Sequence, residues 1–453
     1  MEIPISSSVE GIEWPALPAM IGASRLSVLF QIEQSQWWSQ EKIRRKQFKQ
    51  IDGLLRHCIQ HVPYYREVLA KHIKPQALTE EQWHEIPLLT RDTLQQVGDK
   101  LRADALPEGH GKLVMQRTSG STGKPVEVIS TELTNFFWNV FTLRDTLWHR
   151  CDLSRKLAVI RHLKDVDAKP PHGLRAKNWG RATAGMSETG ICVMISVHTP
   201  IVEMATWLAK EKPDYLMTHP SVVQELALHC QREGLEFPFL CEVRTISEAL
   251  PDGLRGLCQK VWGVRLMDLY STMELGYLAL QCPEHEHYHV QSEGVLLEVL
   301  DDDGRPCAPG QVGRVVVTSL HNFAMPLIRY EIGDYAEVGE PCSCGRGLPV
   351  IKRILGRYRN LVTLPNGEKR WPRFGIGDIL KIAQVLQYQA IQHSLHDVEF
   401  LLVVEQALSE EQRQALTELF LNTLHPEMNV TVREVNQIPR SASGKYEEFV
   451  TRL

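Results

Sequence analysis

No apolar stretch in the 453 residues reaches the length of a membrane-spanning helix. The opening residues, Met-Glu-Ile-Pro-Ile-Ser, lack the basic-then-apolar plan of a secretory signal. Internal repeats and low-complexity tracts are also missing. Basic runs are short, and 50 Lys and Arg against 55 Asp and Glu leave a net charge of -5, which gives no reason to expect a nucleic-acid or membrane partner. A cytoplasmic location is therefore expected. Ten cysteines in a chain this long are not a disulfide framework; Cys58, Cys151, Cys192, Cys230, Cys241, Cys258 and Cys307 lie singly and read as reduced packing residues. With 43% hydrophobic and 23% charged residues the composition is globular, and the length exceeds one ordinary core, so two or more domains are expected.

What is present has an α/β texture. Trp37, Trp38, Ile43, Phe48, Ile51, Leu54, Leu55, Cys58 and Ile59 recur largely at spacings of three and four, an amphipathic helix that Pro63 should end. From 111 to 340, strand-like runs such as Leu157–Ile160, Ile191–Ile195 and Val315–Val317 alternate with helical stretches at 201–211 and 221–233. Near residue 355 the texture changes. Gly356-Arg357 leads into a polar stretch, a turn at Pro365-Asn366-Gly367 and a compact run of strands and helices.

The most informative segment is Gln116–Val128. Gly120 and Gly123 permit tight turns that present backbone N–H groups, Thr118, Ser119, Ser121 and Thr122 add hydroxyl donors, and Lys124 adds a mobile charge. Such a loop can hold a polyphosphate. It is not a Walker A loop, since Pro125 stands where that motif has its Mg-binding hydroxyl. Taken alone, a polar hairpin turn accounts for it equally well.

Thr118-Ser119-Gly120-Ser121-Thr122-Gly123-Lys124-Pro125 resembles the pyrophosphate loop of the adenylate-forming superfamily, which includes acyl-CoA synthetases, adenylation domains and luciferases. Further motifs appear in that family's order. Tyr270-Ser271-Thr272-Met273-Glu274 resembles its Tyr-Gly-x-Thr-Glu, in which the tyrosine packs on adenine and the glutamate supports Mg2+. Ser271 replaces the glycine and Met273 the phosphate-touching hydroxyl residue, with Thr272 as a substitute. Ser247-Glu248-Ala249 sits where the family reads adenine. Arg329–Asp334 resembles Tyr-x-x-Gly-Asp, whose aspartate accepts both ribose hydroxyls, a match of two carboxylate oxygens to a cis-diol. Arg357 adds a ribose or phosphate contact, and Arg359 departs from the Asp or Lys usual at the family hinge. Ile438–Lys445 resembles the C-terminal loop that carries the catalytic lysine, here Lys445. The resemblance implies a large adenylate-forming domain with mixed sheets and helices over 1–355 and a small mobile α+β domain over 356–453.

A second constellation precedes the hinge. Cys342-Ser343-Cys344-Gly345-Arg346 offers two thiolates, and Cys282-Pro283-Glu284-His285-Glu286-His287-Tyr288-His289 a further Cys and His, which together suit tetrahedral Zn2+. This pattern resembles the phenylacetate-CoA ligase branch of the superfamily, including its capsular-polysaccharide-associated members. Cys282, His289, Cys342 and Cys344 are the expected ligands of a closed structural zinc site, with His285 competing for the place of His289. Residues 285–289 also fit His-Glu-x-x-His, the metalloprotease signature, which needs both histidines on one helix face; Pro283 and the Val295–Leu300 run argue instead for a loop entering a strand.

The implied activity is ATP- and Mg2+-dependent activation of a small-molecule carboxylic acid as an acyl-adenylate, with release of pyrophosphate and transfer to coenzyme A. Lys124, Thr118, Glu274 and Lys445 would act on the reacting groups. An amine acceptor and a non-catalytic nucleotide-binding homologue are the alternatives, and a homodimer is compatible with either. Phe136-Phe137-Trp138 and His219-Pro220-Ser221 are the expected pocket lining, favouring an aryl or apolar acid.

Overall fold

The computed structural model describes residues 3–69, 78–117, 126–357, 360–372, 374–441 and 443–453. They form two compact units, each assembled from three chain segments.

The first unit comprises Met1–Ser154, Ala176–Ile191 and Leu269–Ile354. Its sheet is antiparallel where Val295–Leu300, Val312–Ser319 and Tyr330–Val338 pair in sequence, and where Gly276–Gln281 and Tyr288–Val290 pair. The amphipathic helix runs Gln40–His61, with Ser39 capping its start by accepting from the N–H of Lys42 and with Ile51, Leu54, Leu55 and Cys58 buried. It stops two residues before Pro63. That proline opens a second helix, Pro63–Leu69, because a missing N–H is harmless in a first turn. Thr131 closes the hairpin Leu113–Arg117 with Glu127–Thr131 and caps helix Glu132–Trp148 through a reciprocal bond with Thr134.

The second unit comprises Arg155–Arg175, Cys192–Asp268 and Leu355–Leu453. Leu157–Arg161 lies between Cys192–Ser196 and Tyr215–Thr218, followed by Glu242–Thr245 and then Arg265–Thr272, all parallel. Leu157, Ala158, Val159 and Ile160 are each buried, as befits a parallel strand covered on both faces. Helices Ile201–Glu211 and Pro220–Glu233 match the helical stretches read from the sequence to within a residue. Beyond residue 374 a four-stranded sheet is ordered Asn429–Glu434, Asp397–Val404, Val385–Gln392, Phe449–Thr451. It packs a core of its own, in which Phe400 stacks on Phe420 at 3.6 Å and Phe374 meets both edge-on. No helix among the described residues is long and apolar enough to cross a membrane.

Candidate functional site

Strand geometry brings together two of the motifs expected to hold one nucleoside. Tyr270 lies on Arg265–Thr272 and Asp334 on Tyr330–Val338, 64 residues apart, and the Tyr270 hydroxyl donates to Asp334 Oδ2 at 2.7 Å. Only 8% of Tyr270 is exposed. Gly333, with φ of 84°, sits within the strand where its pairing shifts register, directly before Asp334. After the strand, Thr272 Oγ1 accepts from Leu275 N at 3.1 Å and closes the turn carrying Met273 and Glu274. Thr272 therefore keeps its O–H to donate elsewhere, while Ser271 lies opposite Tyr277 and Thr272 opposite Gly276 at the end of the ladder. Thr118, Ser119, Gly120, Ser121, Thr122, Gly123 and Lys124 lie outside the described residues. The strands on either side of them pair, with Arg117 opposite Glu127.

The second unit carries Ser247, Glu248, Ala249, Arg357 and Lys445. Ser247 adopts φ of 75°, a left-handed backbone that costs a side chain about 1–3 kcal/mol and persists only where surroundings hold it. Glu248, its side chain 8% exposed, accepts from Ser221 N at 3.1 Å and Tyr446 N at 2.8 Å, with His219 Nδ1 at 3.4 Å. Burial would push this carboxyl up, but hydrogen bonding and charge from His219 and the charge of Arg440 hold it below the usual range. Arg357 ends strand Val350–Arg357. Lys445 N donates to Ser441 Oγ at 3.1 Å in a loop that follows strand Asn429–Glu434.

Of the expected pocket residues, Phe137 stacks on His321 at 3.7 Å and Trp138 packs near Tyr277, both in the first unit. His219 caps helix Pro220–Glu233 in the second.

The cysteine and histidine cluster closes within the first unit. Donor atoms of Cys282, His289, Cys342 and Cys344 all lie within 4.8 Å of one another. Cys282 Sγ is 3.9 Å from Cys342 Sγ, close to the edge of about 3.8 Å that a tetrahedron of Zn–S bonds of about 2.3 Å requires. His289 Nε2 is 3.4 Å from Cys344 Sγ, and its Nδ1 faces the Leu348 carbonyl at 3.4 Å, which points the Nε2 lone pair at the sulfurs. His285 is bonded instead to Ser343 Oγ at 2.9 Å. Burial pushes the His289 imidazole down to about 3, so it is neutral at neutral pH and ready to ligate. Burial also pushes the Cys342 thiol up to about 12, and a dication would reverse that by binding the thiolate. Residues 283–287 form no helix and lead into strand Tyr288–Val290, so His285 and His289 share no helix face and the metalloprotease geometry is missing. The sequence does not indicate how the loop is fastened: Arg346 donates to Gln36 Oε1 at 2.8 Å and lies over the rings of Trp37 and Trp148.

Comparison with known proteins agrees with this geometry. Residues 374–452 match the family described as the CapK C-terminal domain. The chain is 25% identical over 444 residues to the phenylacetate-coenzyme A ligase of Thermus thermophilus, covering 89% of this chain and 95% of that protein. It is 21% identical over 407 residues to Protein CapK of Staphylococcus aureus, covering 84% and 83%. A crystal structure of 2-hydroxyisobutyryl-CoA ligase, in the postadenylation state with an acyl-AMP, superposes with a TM-score of 0.72 at 16% identity over 92% of this chain and 91% of that one. Fold, C-terminal match and full-length relatives together make the chain similar to adenylate-forming ligases, and among them to phenylacetate-CoA ligases and CapK.

Proposed function

We propose that the protein is an AMP-forming acid–thiol ligase that activates an aryl or apolar carboxylic acid and passes the acyl group to coenzyme A. The observation that carries this reading is the Tyr270–Asp334 hydrogen bond, which fixes a carboxylate for the ribose diol beside the ring meant for adenine. In the first step an oxygen of the acid attacks the α-phosphorus of ATP, and the bond to the departing pyrophosphate breaks. Lys445 stabilises the negative charge that builds there, with Lys124 and Thr118 on the leaving phosphates. Glu274, at the turn after the Tyr270 strand, is placed to support a Mg2+ ion, which would neutralise phosphate charge. In the second step the thiolate attacks the acyl carbon and AMP leaves.

Three finer readings accompany this one. The aryl or apolar preference is supported by Phe136, Phe137 and Trp138 on helix Glu132–Trp148 and by relatives named as phenylacetate ligases. The domain boundary is placed at 355/356, where Gly356 takes φ of 95° and can serve as a pivot for a C-terminal domain over 356–453. Cys282, His289, Cys342 and Cys344 would hold a structural Zn2+, a reading supported by their donor atoms lying within 4.8 Å of one another.

The test is pyrophosphate release from ATP and Mg2+ across aryl, aliphatic and amino acids, with coenzyme A or hydroxylamine as acceptor. Release confined to aryl or apolar acids and completed by coenzyme A supports the reading. Release that only an amine completes moves the protein to the amide-forming alternative, and ATP binding without release overturns the ligase.

A further inference from the structure

Arg440 and Glu225, which have no part in the chemistry above, form a nearly buried ion-pair knot in the second unit. The Arg440 side chain is 10% exposed, donates to Ser221 Oγ at 2.6 Å, pairs with Glu225, and has Glu248 Oε1 at 3.9 Å. Glu225 and Ser221 stand four residues apart on helix Pro220–Glu233, so one helix face receives the guanidinium. Glu248 accepts from the backbone N–H of Tyr446. Lys445 is therefore held on both sides, by Arg440 upstream and Tyr446 downstream.

Between those ties the loop closes on itself. Ser441 N donates to the Lys445 carbonyl at 2.9 Å, Gly444 N to the Ser441 carbonyl at 2.8 Å, and Lys445 N to Ser441 Oγ. Gly444, at φ of 81°, rests on Val197 so closely that a Cβ would come 2.2 Å from Val197 Cγ1. A solvated surface ion pair contributes little. This one is nearly enclosed, and removing either partner leaves a desolvated charge, so the loop is strongly bound to one orientation.

We propose that Arg440, clamped by Ser221, Glu225 and Glu248, is a positioning residue that presents Lys445 for acid activation and plays no part in acyl transfer. The proposal rests on the ligase reading for its assignment to one step. The clamp itself is a statement about the folded chain and is testable without substrate. Because a displacement of about 1 Å can cost about 100-fold, losing the clamp should be felt at Lys445 while the ATP contacts stay in place.

The experiment uses the full chain with Arg440→Met, Glu225→Gln and Arg440→Lys. Amide hydrogen exchange over 441–446 is measured first, without ligand. Acid-dependent exchange of pyrophosphate into ATP then reports activation, and thioester formation from synthetic phenylacetyl-adenylate and coenzyme A reports transfer. In Arg440→Met and Glu225→Gln, protection at Tyr446 should fall at least about 10-fold and the kcat of pyrophosphate exchange about 10- to 100-fold. The KM for ATP and the transfer rate should stay within about 3-fold, with Arg440→Lys between these variants and wild type. Unchanged protection, equal losses in both steps, or a loss confined to the KM for ATP would overturn the proposal. A wild-type chain inert in both steps would overturn the ligase reading and the step assignment with it, while amide exchange in the same variants would still decide whether the clamp holds the loop.

Discussion

Lys445 and Tyr270 act in different ways, and their substitutions should fail differently. In the proposed mechanism Lys445 stabilises charge that appears only in the transition state, so Lys445→Ala should lower the rate of adenylation about 1,000-fold and leave the Kd for ATP nearly unchanged, a split read by pyrophosphate exchange beside equilibrium binding. Tyr270 holds Asp334 in the ground state as well. Loss of a hydrogen bond to a carboxylate predicts that Tyr270→Phe weakens ATP binding about 3- to 10-fold, with a smaller penalty for 2′-deoxy-ATP, whose diol is already incomplete. Equal weakening for both nucleotides would mean that Asp334 does not read the ribose.

At the scale of elements, Cys282 directly after strand Gly276–Gln281, His289 on strand Tyr288–Val290, and Cys342 and Cys344 on the loop 342–348 converge before the chain enters strand Val350–Arg357. His289 pairs with Val350 in the ladder, so the cluster fixes the start of the strand that leads to Gly356. About one zinc per chain is expected by elemental analysis, and Cys342→Ser together with Cys344→Ser should abolish it and lower the Tm by several degrees. Acidification should release the metal, because the bound thiolates must then compete with protons. Protein that retains full stability without metal would mean that contacts such as Arg346–Gln36 and His285–Ser343 suffice to hold the loop.

Over the whole molecule, a dependence of stability on pH is expected from the C-terminal end. Burial pushes the Glu448 carboxyl up to about 7, the Tyr388 hydroxyl draws it down, and the Glu248 and Asp252 carboxylates raise it further. Its ordinary value is 4.5, so the folded chain binds this proton more tightly than the unfolded one. The stability it contributes is present in full below about 4.5 and is lost as pH rises through about 7. Glu448→Gln should therefore raise the Tm relative to wild type at pH 8 and match it at pH 4, as read by thermal unfolding; equal curves at both pH values would mean that Glu448 titrates normally. The α/β class and the bounds of helices Ile201–Glu211 and Pro220–Glu233 were legible because periodicity acts over a few residues. The four candidate metal ligands were legible as residue types, but choosing His289 over His285 took the fold, since only strand pairing aims one imidazole at the sulfurs and leaves the other on Ser343. Arg440 and Glu225 are 215 residues apart, and although Arg440 lies in the motif that ends at Lys445, nothing local pairs the two. Sequence by itself determined which chemical groups the protein owns and the local elements that carry them; tertiary structure alone decided which of those groups meet, because contacts across hundreds of residues are set by packing and leave no periodic trace in the chain.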